Sequence, residues 1–172
     1  VPALDDPQTR TAVDALRAGA LRWLAGGVVA VALGVLLGAA VVRIVANGGS
    51  RPPVAGLMVV SLVVGGLAVA IVGLGALLRT RRWAAALART DWRTGHLRIA
   101  GPAVLRVEPL GFDEFTDEPL SLRLMSTAVW RTRAVQQLDG AEVRYAEVSP
   151  TEWVLGADGA GTVYGARVAA RR

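Results

Sequence analysis

The chain has no cysteine and no lysine, a single histidine and few aromatic residues. Without cysteine there are no disulfides, no thiolate metal sites and no cysteine nucleophiles, and the redox compartment is left unreported. Any Ser-His-Asp arrangement would have to use His96, and no serine stands in a nucleophile-elbow context. Every basic residue is arginine, and alanine, glycine and valine dominate the rest, which suggests a GC-rich coding sequence more than a mechanism. Charge is also missing locally. Trp23 to Val42 and Pro52 to Leu78 contain no charged residue. Each run reaches the roughly 20 apolar residues needed to cross a hydrocarbon core of about 30 Å. Two buried helices of a soluble bundle are the rival explanation, but soluble helices rarely lack a polar face over five or more turns.

What is present fits a membrane protein of 172 residues with a positive mean hydropathy of +0.44. A net charge of +5 raises nucleic acid as a partner, yet many arginines flank the apolar runs, where anionic headgroups are nearer. Asp6 suits a helix N-cap and Pro7 the first helical position. Val13, Leu16, Ala20 and Leu24 then recur at helical spacing, so residues 1–22 read as an amphipathic juxtamembrane helix, on the surface or running straight into the first span. A cleavable signal peptide fits poorly, because the preceding segment is long and acidic and a second apolar run follows at once. Residues 23–78 form a transmembrane hairpin closed by Arg43 to Pro53, with Asn47-Gly48-Gly49-Ser50 inside it. Arg10, Arg17, Arg22, Arg79, Arg81, Arg82, Arg89 and Arg93 lie to one side, against Arg43 and Arg51 in the loop. That bias predicts a plasma-membrane protein with both termini cytoplasmic.

After a basic interfacial linker, residues 79–91, the pattern changes to short alternating runs. His96 to Ala100, Ala103 to Glu108, Leu120 to Ser126, Ala141 to Val148, Glu152 to Ala157 and Gly161 to Val168 read as strands. Gly101-Pro102, Asp139-Gly140 and Asp158-Gly159 supply turns. Thr127 to Leu138 suits a strand or one short helix. The expected fold is thus a membrane α-helical hairpin followed by a small, mainly β cytoplasmic domain over residues 92–172. So small a domain is near the lower limit for an independent core and is expected to lean on a partner or the membrane.

Small residues at four-residue spacing, Gly26, Ala30, Gly34 and Gly38 on the first span and Ser61, Gly65 and Gly73 on the second, read as helix-packing ridges. Their partner is the other span or a different protein. Trp23, Arg79, Arg81, Arg82 and Trp83 sit where membrane-interface residues belong. Neither span carries an internal ionisable group, which argues against transport, proton pumping and haem ligation. His96 beside Arg98 reads as a surface or capping residue. The acidic run Asp113, Glu114, Asp117, Glu118 offers hard-cation oxygens but lacks the alternation and central glycine of a calcium loop. Gly156 to Gly161 is glycine-rich with no Lys-Ser/Thr after it, so it is a turn and not a phosphate cradle. Arginines interleave with Trp83, Trp92 and Trp130, a pattern that nucleic-acid binding would place on one face, although Trp83 and Trp92 lie just beyond the bilayer. The inventory implies no enzyme, no cofactor, no metal and no small-molecule substrate. Lipid bilayer and other integral membrane subunits are the expected partners, not nucleic acid.

Arg79-Thr-Arg-Arg-Trp83, Asp91-Trp92-Arg93, Val104-Leu-Arg-Val107, Leu120-Ser-Leu-Arg-Leu124 and Gly140-Ala-Glu-Val-Arg-Tyr145, set behind two spans, resemble a group of actinobacterial two-span membrane proteins with a C-terminal cytoplasmic β domain. The likeness covers most of residues 20–170 and implies no catalytic residue. More loosely, the layout is similar to accessory subunits of actinobacterial respiratory assemblies such as the cytochrome bcc/oxidase supercomplex. That analogy implies a non-catalytic accessory or scaffold subunit. A membrane-tethered binding or regulatory module, recognising a soluble partner by strand pairing at an exposed sheet edge, is the alternative.

Overall fold

A computed structural model of the chain describes residues 1–50, 53–101, 103–113, 118–125, 129–158 and 161–169. Two compact units make it up, Ala15–Arg81 on the one hand and Val1–Asp14 with Arg82–Arg172 on the other.

The first unit is a helical hairpin. It belongs to α1 (Pro7–Ala46) and α2 (Ala55–Leu87), helices about 60 and 50 Å long at 1.5 Å per residue, each long and apolar enough to cross a membrane. Inside α1 and α2 nothing interrupts the backbone ladder, and the chain stops α1 with glycine chemistry. Gly48 takes φ +81, its N–H donates to the Val45 carbonyl, and the Gly49 N–H reaches back to Ile44. This is the Schellman arrangement, which satisfies carbonyls that the helix end would leave bare and which only glycine enters without strain. Arg51 and Pro52 of the expected connection lie outside the described residues.

Where α1 and α2 face each other, the backbones nearly touch. A Cβ added at Gly27 would stand 2.4 Å from the Ala70 nitrogen, one at Gly66 2.8 Å from the Gly27 carbonyl oxygen, and one at Gly73 2.5 Å from the Leu24 nitrogen. Gly34 meets Val63 and Gly38 meets Val59. The contact rows, Gly27, Gly34, Gly38 against Val59, Val63, Gly66, Gly73, alternate steps of three, four and seven residues. The seam of a hairpin drifts round each helix because 3.6 residues make a turn. Three of the expected packing positions do not meet the other span. Gly26 and Gly65 have open space where a side chain would go, and Ser61 is exposed. Each lies at least one step of about 100° off the seam.

The second unit is built on a closed, all-antiparallel barrel of β1 (Arg93–Gly101), β2 (Val104–Pro109), β3 (Leu120–Leu124), β4 (Glu142–Ser149), β5 (Glu152–Gly156) and β6 (Val163–Val168), ordered β1-β2-β3-β6-β5-β4. It consists of two three-stranded meanders joined by the β3–β6 and β1–β4 pairings. Between them runs α3 (Val129–Gln136), so the ambiguous segment is a helix over its described part. All six expected strands are present, with shifted ends; Pro102, Ser126 and Gly159 lie outside the described residues.

Alternation places Leu97, Leu105, Val107, Leu122, Leu124, Val143, Tyr145, Trp153, Leu155, Tyr164 and Ala166 inward, where they pack with Val135 of α3 into one core. Fully burying each such Val or Leu contributes about 1.5–3 kcal/mol. Closure also removes the free edge on which strand pairing with a partner would depend. Where β1 runs past β4, the Asp139 carboxylate accepts the Ile99 N–H at 2.9 Å and the Ala141 carbonyl accepts that of Leu97 at 3.0 Å. The recognition mode expected of the alternative reading is thus not offered by this domain, because its strand edges are spent on one another.

Candidate functional site

The outer surface of the barrel is of two kinds, and the difference locates the candidate site. On the second meander the outward residues are Arg144 and Ala146 of β4, Val154 and Gly156 of β5, and Val163, Gly165 and Arg167 of β6. Ala146 and Val154 are fully buried and Val163 nearly so. Residues 1–14 and 82–92 supply the cover at Ala146, Gly156 and Gly165. Ala3, Val13 and Leu87 pack with Ala146, Leu4, Ala84 and Trp92 in a second apolar cluster. Trp83 is also buried, its ring lying over Gly165 and its indole N–H donating to Glu152 Oε1 at 2.9 Å. An interfacial aromatic was expected at this position; the structure spends its ring and its polar handle on the barrel, whereas Trp23 is 62% exposed. Arg79, Arg81 and Arg82 are exposed.

A polar clasp holds the amino-terminal segment in place. Asp6 caps α1 by accepting the Thr9 backbone N–H at 3.0 Å and the Thr9 hydroxyl at 2.6 Å. Its carboxyl is held below the ordinary 3.8, chiefly by the Thr9 hydroxyl against an opposing cost of burial, then by the Thr9 backbone N–H and the Arg144 guanidinium. Arg144 sits at the centre, 3.3 Å from Asp6, 2.8 Å from Asp158, donating to Gln8 Oε1 at 3.3 Å, and stacked 5.7 Å from the centre of the Trp92 ring. The Trp92 indole N–H is shared between the Ala3 carbonyl and the Thr9 hydroxyl, and Gln8 donates to the Ala157 carbonyl. Arg144 Nε and Trp153 Nε1 are buried without an acceptor among the described residues. Trp153 sits in the barrel core, its ring tilted against that of Tyr145.

The first meander is bare, and its outward positions are basic. Arg98, Arg106 and Arg123 all point outward and are exposed, and Arg167 continues the row on β6. Strand register sets Arg98 directly opposite Arg106, and Arg123 directly opposite Arg167. Arg106 faces Ser121, which puts Arg123 at the diagonal position. Four guanidinium groups thus cross four adjacent strands over roughly 15 Å, at about 4.8 Å per strand. Like charges directly opposite each other in a sheet are unfavourable. Relief comes from Glu108, 3.7 Å from Arg98, in an exposed pair of little energetic weight. Two open grooves flank Arg106, one of about 490 Å³ bounded by Arg98, Glu108 and Phe112, the other of about 620 Å³ bounded by Glu118, Leu120 and Val168.

This row was not singled out by sequence reasoning, although a signal was there. Leu97-Arg98-Ile99, Leu105-Arg106-Val107, Leu122-Arg123-Leu124 and Ala166-Arg167-Val168 each set an arginine between two inward residues. His96 is exposed on the same face, opposite Glu108 on one side and Glu142 on the other. Of the acidic run, residues 114–117 lie outside the described residues. Among the described residues no three His, Asp or Glu side chains converge as a metal-ligand set. Compared with family models, with curated proteins and with solved structures, the chain matches none.

Proposed function

We propose that this chain is a non-catalytic accessory or scaffold subunit of a larger plasma-membrane complex, inserted through its helical hairpin with both termini and the barrel on the cytoplasmic side. The observation that carries this reading is the outer surface of the hairpin. Val28, Val35, Leu36, Leu57, Val64 and Val72 are each more than half exposed, which favours lipid over the core of a soluble bundle as their surroundings. Gly26, Ser61 and Gly65 stand open on that surface, where small residues let a further helix approach closely. The barrel interior is filled by side chains, which suits a docking domain better than a catalytic one.

Gentle solubilisation followed by sizing and mass spectrometry tests it, in the native chain and in the double variant Gly26→Leu, Gly65→Leu. Co-purifying integral subunits are expected with the first and not with the second. A clean monomer in the native case sinks the proposal. The resemblance to respiratory accessory subunits makes such assemblies the first partners to look for. A second reading, a membrane-tethered binding module, is favoured by one observation, the exposed arginine row.

A further inference from the structure

Among the described residues the arginine row makes one ion pair, the exposed contact of Arg98 with Glu108. It makes like-charge pairs that cost stability, Arg98 with Arg106 and Arg123 with Arg167, on the one outer face that the protein's own helical segments leave bare. Arg144, which has the same flanking pattern in β4, shows what a structural arginine of this barrel looks like: two carboxylates and an aromatic face engage it. The four arginines of the row are instead spread on a convex sheet surface that they share with His96, Glu108 and the smaller Ala100, Val104 and Ser121, and on which Glu108 offsets one of the four charges. No exposed tryptophan or tyrosine of the described residues stands among them and only the half-buried Phe112 borders a groove, so the face offers little of the aromatic anchor that centres most protein interfaces or of the stacking platform used by single-stranded nucleic acid. What such a face matches is a laterally extended, mobile array of single negative charges.

We infer that the outer face of β1, β2, β3 and β6 is a docking surface for the anionic phospholipid headgroups of a bilayer, with Arg98, Arg106, Arg123 and Arg167 as the contacts. The inference rests on the proposed membrane anchorage in one respect only: a tethered barrel always has a bilayer within reach. Guanidinium groups bind phosphodiester oxygens in a two-pronged geometry that lysine cannot reproduce, and the grooves on either side of Arg106 give headgroups room to seat between strands. Mobile lipids can adjust to the spacing of the row. Each basic residue near an anionic surface multiplies partitioning by roughly fivefold, so four together amount to several-hundredfold.

The test uses the full chain held in phosphatidylcholine nanodiscs, mixed with separate vesicles and followed by flotation. Vesicles containing about one-third phosphatidylglycerol should capture the protein at low salt, release it progressively as ionic strength shortens the range of attraction, and be matched by no capture on pure phosphatidylcholine. The variant Arg98→Gln, Arg106→Gln, Arg123→Gln, Arg167→Gln should lose several-hundredfold in partitioning, while a charge-matched control, Arg10→Gln, Arg17→Gln, Arg22→Gln, Arg89→Gln, should lose no more than tenfold. Near-ultraviolet circular dichroism of the first variant checks that the barrel still folds, and the single changes, each expected to cost about fivefold, carry the test if it does not. Equal losses in the two quadruple variants, or capture by neutral vesicles, overturn the inference. So does tighter binding of a polyglutamate peptide or of duplex DNA than of anionic vesicles, in which case the face belongs to a protein or a nucleic acid. Hairpin insertion is read separately by carbonate extraction, so a failure of anchorage is distinguishable from a failure of the arginine face.

Discussion

Trp83 and Gly165 form the contact on which the covered side of the barrel can be tested most sharply. A Cβ at position 165 would stand 2.5 and 2.6 Å from Cζ2 and Cη2 of the indole, far inside van der Waals contact, while its next neighbour, Met125 Sδ, is at 3.4 Å. Gly165→Ala must therefore displace the Trp83 ring or bend β6, at an overpacking cost of about 1–3 kcal/mol. In a Trp83→Leu background those two ring carbons are gone. The same Gly165→Ala change then meets little, and the loss of glycine's freedom in the unfolded chain makes it neutral or stabilising by about 0.5 kcal/mol. The two costs differ by roughly 1–3.5 kcal/mol, which is the coupling expected of residues in direct contact. Trp83→Leu alone should cost about 2–4 kcal/mol, from lost ring burial and from the indole N–H bond to Glu152. Urea unfolding of the full chain in detergent micelles, followed by near-ultraviolet circular dichroism, measures all four corners of the cycle. If Gly165→Ala costs the same with and without the indole, Trp83 does not pack there and the account of the covered face is wrong.

Other consequences follow from the seam, the clasp and the arginine bias. Gly27→Leu should disrupt the hairpin, because even a Cβ there lies 2.4 Å from the Ala70 backbone, whereas Gly26→Leu should leave it intact; disulfide trapping between cysteines placed at Gly38 and Val59, where an added Cβ makes only ordinary contact, reports the difference, and equal loss of trapping would contradict the offset seam. Asp6 has a lowered folded pKa, so its contribution to the clasp is present above the ordinary 3.8 and is lost as the pH falls through the lower folded value. Thermal unfolding of the barrel should thus show an acid-side decline below about pH 4 that Asp6→Asn flattens, and Asp6→Ala should cost about 1 kcal/mol at neutral pH through the lost cap; an unchanged pH profile in the Asn variant would count against the clasp. In intact cells an impermeant maleimide should modify Ser50→Cys and spare Ser149→Cys if the chain has the proposed orientation, which the arginine bias predicts, and the native chain has no thiol to compete. Labelling of Ser149→Cys in sealed cells would invert the topology.

The pattern of residues, read along the chain, was enough for the two long helices, the N-cap at Asp6, a glycine-bearing connection between the helices and the position of six strands. These depend on neighbours a few residues apart, whose periods of 3.6 and 2 are visible in one dimension. A one-residue ambiguity already defeats that reading at the hairpin seam: Gly26 and Gly27, or Gly65 and Gly66, are equivalent in sequence, and only the crossing of two helices makes one of each pair indispensable. The segment Thr127 to Leu138 was undecided for the same reason, since its choice of helix over Val129–Gln136 is settled by the barrel core into which Val135 is inserted.

The arginines show the division most clearly. Glu142-Val-Arg144-Tyr145 and Val104-Leu-Arg106-Val107 share one local pattern, an arginine between inward apolar neighbours, and alternation correctly sends both outward. Which of them meets solvent was decided by segments more than fifty residues away. Residues 1–14 and 82–92 lie across β4, β5 and β6, enclosing Arg144 in a clasp with Asp6 and Asp158, and leave β1, β2 and β3 bare with Arg98, Arg106 and Arg123 in the open. The unbroken Trp153-Val154-Leu155 run hinted that β5 is buried on both faces. It did not say by what. Strand period fixes the side on which a residue emerges; only the packing of distant segments fixes whether that side is interior or surface, because burial is a property of the closed structure and not of the residues next along the chain.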